Sequence, residues 1–312
     1  MMEESFFLLD RDESPDGAAE PDASFVPKPA PPPFGDGAHA ERILLGMPQL
    51  CLNGLSENWL LKELGHRHWL MLARLAGQTA PHFVDERGEP VYAAFCALSI
   101  KDADFAAARE NDILTIHSRV ERISRTQVLT RHRLVIGGKA LGEVELLSTF
   151  VRRLARGENH GVARYEPPGW PPAPARAAKN DLAARAAAFR AGRIREHLGF
   201  NLSERAPLRE ATFLPCPSQD FNGAGLLYFA QFIAFVDRAE WLFAPDLARR
   251  ATTRRRDVFF FGNLDPGEAL SVRLMEQRSD EHGMAHRCLM IREQDQAPLA
   301  QIFSVRRCGQ VG

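Results

Sequence analysis

The segment PSQDFNGAGLLYF, residues 217 to 229, places a carboxylate, an amide and two glycines just ahead of a long apolar run. A carboxylate at the start of a helix can orient a water or a thiol as a base, and that is the chemistry open to Asp220. Asn222 would orient the reacting group beside it. A helix start also leaves backbone N–H groups unpaired, and its dipole favours developing negative charge. Gly223 and Gly225 would let a ligand approach that backbone closely. The plainer reading of these residues is a turn and a helix cap, and the segment by itself does not choose between the two.

A second segment, PQLCLNG at 48 to 54, matches PSQDFNG at 217 to 223 in its proline, asparagine and glycine. Asn53 and Gly54 therefore stand where Asn222 and Gly223 stand, and Cys51 stands where Asp220 does. A lone thiol between leucines reads as buried and inert. Ser56, Glu57 and Asn58 follow, with Ser56 placed as a helix cap and Glu57 in the first turn; the other role for these polar groups is to face a pocket. Tyr92, in PVYAAFCAL, falls on a strand pattern. A phenol with an ordinary pKa of about 10 suits hydrogen-bond donation better than covalent catalysis. His66 and His68 sit two apart, on different helix faces, which argues against a shared metal. Residues 249 to 256, RRATTRRR, carry five arginines; Arg254 and Arg255 among them would hold an anionic ligand, against the alternative of a solvated basic loop.

These groups need elements to position them. The chain has 312 residues, 45% hydrophobic and 25% charged, enough for one large or two medium domains with real cores. A net charge of -1 gives no electrostatic case for nucleic acid. The first residues lack a secretory pattern and no apolar run is long enough to span a membrane, so a cytoplasmic setting is expected. The five cysteines lack CxxC or Cys/His spacing, so reduced thiols are expected, with neither a disulfide framework nor a metal site. Residues 1–40, rich in Pro and Ala, read as a disordered leader. After it come a first unit over 41–156, a linker and helix over 157–198, and a second unit over 199–312. Each unit gives the Pro-to-Asn-Gly loop, a long helix, and strands with period-two alternation such as Leu270, Val272 and Leu274. Both close on Val-Arg-Arg, at 151 to 153 and 305 to 307. A buried helix followed by antiparallel strands, given twice, is an α+β layout in which a sheet curls around a central helix.

The segments PSQDFNGAGLLYFAQFIAFVDRAEW and GMPQLCLNGLSENWLLKELGHRHW resemble the double hot dog family of bifunctional acyltransferase/decarboxylases from polyketide biosynthesis of the leinamycin type, over roughly residues 42 to 310. That resemblance implies two tandem hot dog units, each a long central helix wrapped by an antiparallel sheet. It also implies decarboxylation of methylmalonyl-coenzyme A or a similar malonyl-type thioester, with transfer of the acyl group to an acyl carrier protein. Tyr92 is similar to a tyrosine given an active-site role in that family. No cofactor is implied, since coenzyme A enters as part of the substrate; the expected partners are acyl-CoA and an acyl carrier protein, with a homodimer left open. The alternatives are an acyl-CoA or acyl-ACP thioesterase, for which Asp220 is equally suited, and a non-catalytic acyl-carrier binding subunit. A dehydratase is disfavoured because the HxxxGxxxxP run of hot dog dehydratases does not occur.

Overall fold

The computed structural model describes residues 38–155, 157–171, 180–203 and 205–308. Residues 1–37 of the expected leader and 172–179 of the expected linker lie outside these, while residues 38–40 already belong to the first strand. The first half contributes β1 (Ala38–Leu44), α1 (Glu57–Leu75), β2 (Tyr92–Lys101), β3 (Ile113–Arg122), β4 (Gln127–Ile136) and β5 (Lys139–Arg153). A short strand β6 (Val162–Arg164) and helix α2 (Asp181–Arg190) follow. The second half contributes β7 (Arg209–Phe213), α3 (Phe229–Phe243), β8 (Ala251–Phe260), β9 (Leu270–Asp280), β10 (Gly283–Arg292) and β11 (Pro298–Cys308).

One antiparallel sheet runs in the order β1-β3-β4-β5-β2-β8-β11-β10-β9-β7, with β6 added beside β5. The order of the second half is the first reversed, with β7 for β1 and β8 for β2. The duplicated sequence pattern thus becomes a pseudo-twofold arrangement. Its seam is the β2/β8 pair, where Ile100 faces Arg256 and Ala97 faces Phe259. Ser99 Oγ donates to Asp257 Oδ1 at 2.6 Å across this seam. Both residues are wholly buried, so the polar contact fixes register where apolar packing alone would tolerate slippage.

The strands are apolar on both faces, and alternation sends each face to a different core. Leu98, Leu146, Val258 and Ile302 pack inward with Leu60 and Leu64 of α1 and with Phe232 and Val236 of α3. Their neighbours Ala97, Leu147, Phe259 and Phe303 face outward, where α2 covers them with Leu182 and Phe189. Phe189 stacks on Phe259 with ring centroids 3.8 Å apart. Helix α2, the helix expected within 157–198, is capped by Asn180, whose Oδ1 accepts from Ala183 N, and it ends before Gly192 at φ +62°.

Two expectations change. The apolar run that starts at Leu226 does not enter the helix at once: α3 begins at Phe229, because Leu227 N donates to Asn263 Oδ1 and Tyr228 N to the Asp220 carbonyl, and these bonds hold the preceding residues in a loop. The arginine-rich run is not a solvated loop either: residues 251–256 open strand β8, and Arg256 is fully buried.

Candidate functional site

Gly65 of α1 packs against the start of α3. A Cβ there would sit 2.4 Å from Tyr228 Oη and 2.6 Å from a Phe229 ring carbon, so the contact requires glycine. Beside it opens a cavity of about 840 Å³, bounded by the middle of α1, the start of β2, the end of β5, the segment around 159–164 and the 222–229 loop. Phe95, Phe229, Phe232, Phe260 and Leu227 supply much of its wall, which suits a hydrocarbon chain.

Tyr92, Arg153, Asn159 and Asn222 also line the cavity. The Arg153 guanidinium lies 5.0 Å from the Tyr92 ring centroid, and its Nη1 donates to Tyr92 Oη at 3.3 Å. Its Nη2 donates to the Ala224 carbonyl at 2.5 Å and to Asn159 Oδ1 at 2.7 Å. Asn159, 3% exposed, donates through Nδ2 to the carbonyls of Gly225 and Leu264. The 222–226 loop is thus tied to β5 by a charge-assisted bond from Arg153, and it is braced internally by Asn222, whose Oδ1 accepts from Ala224 N and Leu226 N.

The two helix starts differ. Ser56 Oγ accepts from Trp59 N and caps α1, whereas Tyr228 at the start of α3 offers no side-chain cap. No side chain caps the first turn of α3; Gln231 N donates to the Tyr228 carbonyl at 2.8 Å, the N–H groups of Phe229 and Ala230 precede it, and both Tyr228 and Phe229 line the cavity. Gly223 lines it as well, with nothing within 4 Å of where a Cβ would sit; Gly225 turns the loop at φ +71°.

Of the residues singled out in the sequence, Tyr92, Asn222 and Gly223 come together here, with Gly225 in the same loop. Asp220 does not line the cavity. It is 3% exposed beneath the loop, ending the one-turn helix Pro217–Asp220, and its Oδ2 accepts from Cys216 N at 2.7 Å. Asn53, Gly54, Ser56 and Glu57 lie at the other helix start. Asn53 Nδ2 donates to the Arg249 carbonyl, and Gly54 at φ +101° passes so near the Phe105 carbonyl that a Cβ would collide with it. Arg254 pairs with Asp102 at 3.7 Å and Arg255 with Asp257 at 3.2 Å. Cys51 is exposed rather than buried.

That second helix start is the pseudo-twofold counterpart of the cavity, and charges occupy it. Arg256 donates to Glu57 at 3.0 Å and to Asp237 at 2.8 Å, while Arg306 reaches Asp237 at 2.8 Å and Glu240 at 2.6 Å. Thr253 donates to Glu57 at 2.6 Å, and His286 Nε2 lies 2.6 Å from Glu240. Burial opposes the charge on Glu240, but Arg306, His286 and Arg256 outweigh it and hold the pKa at about 2.

Three further groups line the cavity without having been assigned chemistry from the sequence. His68 is buried between Thr130 Oγ1 at 2.8 Å and Ser148 Oγ at 2.7 Å, and His132 continues the chain from Thr130 to Ser118. Burial pushes His68 down to about 3, so it is a neutral, poor base. Burial pushes the Cys96 thiol up, which disfavours a thiolate nucleophile. His160 Nε2 lies 2.8 Å from Glu268 and 3.4 Å from Asp265, and the three groups could also converge on a cation, with ligand atoms within 4.8 Å of one another. Arg153 had a sequence signal in the closing Val-Arg-Arg; Asn159 and His160 had none, because they sit in what reads as linker.

No family model and no curated protein matches the sequence. Its likeness to known proteins is structural. The chain is similar to the 12:0-ACP thioesterase from Umbellularia californica, with a TM-score of 0.63 and 9% identity over 88% of this chain and 100% of that one. It is also similar to an acyl-ACP thioesterase from Bacteroides thetaiotaomicron, with a TM-score of 0.56 and 12% identity over 86% and 97% of the two chains. The fold is a double hot dog of the α+β class, as the duplicated pattern leads one to expect. Among the described residues no helix is long and apolar enough to cross a membrane.

Proposed function

We propose that the chain is a cytoplasmic acyl-thioester hydrolase acting on acyl-carrier-protein or coenzyme A thioesters. The observation that carries this reading is the uncapped start of α3 opening on a largely apolar cavity beside the Tyr92 hydroxyl. An acyl chain would lie among Phe95, Phe229 and Phe232. The thioester carbonyl would accept hydrogen bonds from first-turn N–H groups and from Tyr92, whose oxygen already accepts from Arg153 and whose proton is left for a ligand. Exposed Arg164 and Arg190 also line the cavity and would meet the phosphates of the pantetheine arm, a role that Arg254 and Arg255, paired elsewhere, are less suited to. The two thioesterases that share the fold support hydrolysis over decarboxylation.

The Tyr92–Arg153 pair favours a second reading. A phenol held by a guanidinium could stabilise the enolate left by loss of carbon dioxide from methylmalonyl-coenzyme A, before the acyl group passes to a carrier protein. Incubating the protein with a panel of acyl-CoA and acyl-carrier-protein thioesters and with methylmalonyl-coenzyme A, followed by mass spectrometry, separates the two. Free acid and free thiol support hydrolysis. Propionyl transfer with loss of carbon dioxide replaces it with the second reading, and binding without turnover leaves a carrier-binding subunit.

A further inference from the structure

A thioester hydrolase needs a base that can reach the cavity, and the carboxylate that the sequence offers for this, Asp220, lies beneath the loop with one oxygen committed to Cys216 N. His68 reaches the cavity, but both of its ring nitrogens are occupied by hydroxyls. His160 is placed differently. It lines the cavity beside Arg153 and Asn159, on the segment that follows β5. Its Nε2 lies 2.8 Å from Glu268 Oε2, a residue of the turn that precedes β9. Glu268 Oε2 also accepts from Asp265 N at 2.7 Å, and Asp265 Oδ1 accepts from Asn159 N at 2.8 Å. Both carboxylates are thereby fixed by backbone donors, and Asn159, next to His160 in the chain, is held by Arg153 and by two carbonyls. An imidazole that donates Nε2–H to a carboxylate keeps the lone pair on Nδ1.

We propose that His160 is the general base of this cavity and that Glu268 is the carboxylate that positions it. The proposal rests on the reading of the chain as a thioester hydrolase. Nδ1 of His160 takes a proton from water as the water oxygen bonds to the thioester carbonyl carbon. The carbonyl electrons move to an oxyanion held at the start of α3. The oxyanion collapses, the carbon–sulfur bond breaks, and the imidazolium returns its proton to the departing sulfur. Water and thioester give acid and thiol, with the proton borrowed and returned. Glu268 accepts the Nε2–H throughout and stabilises the cation between the two steps. The other charged groups around the ring are Asp265 at 3.4 Å, Arg153 and Arg164 along the cavity, and Asp295 with its partner Arg292.

The test compares wild type, His160→Gln, His160→Ala, Glu268→Gln and Glu268→Asp on a thioester that the wild type hydrolyses, across pH 5 to 9. His160→Gln is expected to lower kcat about 10²- to 10³-fold with KM nearly unchanged and to remove the acid limb of the kcat profile. Added imidazole should restore part of the activity of His160→Ala, which keeps the test decisive should the glutamine variant fold poorly. Glu268→Gln should lower kcat about tenfold with KM nearly unchanged, and Glu268→Asp should recover part of that loss; a merely structural glutamate would leave kcat in place. Full kcat in both His160 variants overturns the proposal while leaving hydrolysis standing. Abolition of activity by a chelator with restoration by a divalent cation also overturns it, by making His160, Asp265 and Glu268 metal ligands. A wild type that hydrolyses no thioester in the panel overturns the hydrolase reading, and the base assignment falls with it.

Discussion

The guanidinium of Arg153 covers the ring of Tyr92 at 5.0 Å while its Nη1 donates to the phenol oxygen, so the same cation fixes both the ring and its hydroxyl. Tyr92→Phe keeps the ring contact and loses only the hydroxyl. It is expected to lower kcat/KM about 10- to 100-fold with no change in Tm, measured by steady-state kinetics and thermal melting. Wild-type turnover in this variant would leave the backbone N–H groups as the sole donors. Arg153→Met also releases Ala224 and Asn159, so it should lower both kcat/KM and Tm.

The two glycines beside the cavity should separate packing from binding. Gly65→Ala gains helix propensity, but its methyl would press on Tyr228 and Phe229, and a net loss of about 1–2 kcal/mol is expected by denaturant unfolding. Gly223→Ala has open space around its Cβ and no left-handed backbone, so its stability should match wild type while KM rises.

The buried histidines set opposite pH limits on stability. His68 and His132 are both pushed down to about 3 by burial, so the unfolded chain binds protons first as pH falls below 6.5. Their contribution is complete above about pH 6.5 and is lost between there and pH 3, at roughly 2 kcal/mol per histidine by pH 5. For His286, burial works against the cation, but Cys288 and Glu240 raise the pKa to about 10. Its contribution is complete below about pH 6.5 and is lost as pH rises towards 10. Unfolding free energy measured against pH should therefore peak near pH 6.5, and His286→Gln should flatten the alkaline side alone.

Arg256 lies at the centre of the charges around Glu57, Asp237 and Glu240. Arg256→Met leaves buried carboxylates short of a partner and is expected to cost about 3–5 kcal/mol in urea unfolding. Ligand binding by the folded fraction should survive, because none of these charges lines the cavity.

What the sequence makes legible is local. Ser56 as a cap, the Asn222-Gly223 turn and the inward set Leu270, Val272 and Leu274 follow from short-range chemistry and alternation, and the structure has each of them. Arginines at 254 to 256 conceal a strand, because the acids that make burial of Arg256 tolerable are 16, 19 and 199 positions away. His160 reads as linker for the same reason, since Glu268 is 108 positions distant. Residue type marks Asp220 as an acid before a helix; the one-turn helix that turns its carboxylate onto Cys216 N depends on how the loop folds back under α3.

Strand β8 pairs with β2 inside a single chain. Were the sheet instead assembled from two identical subunits, every substitution would appear twice, and a residue that filled one helix start would fill the other as well. Joining the halves removes that constraint. The arginines, acids and histidine gathered at α1 can stand permanently where a ligand would otherwise sit, because the matching ground at α3 is written by different codons. The expected stoichiometry is one ligand per chain, and each half is free to accumulate changes that its twin could not survive.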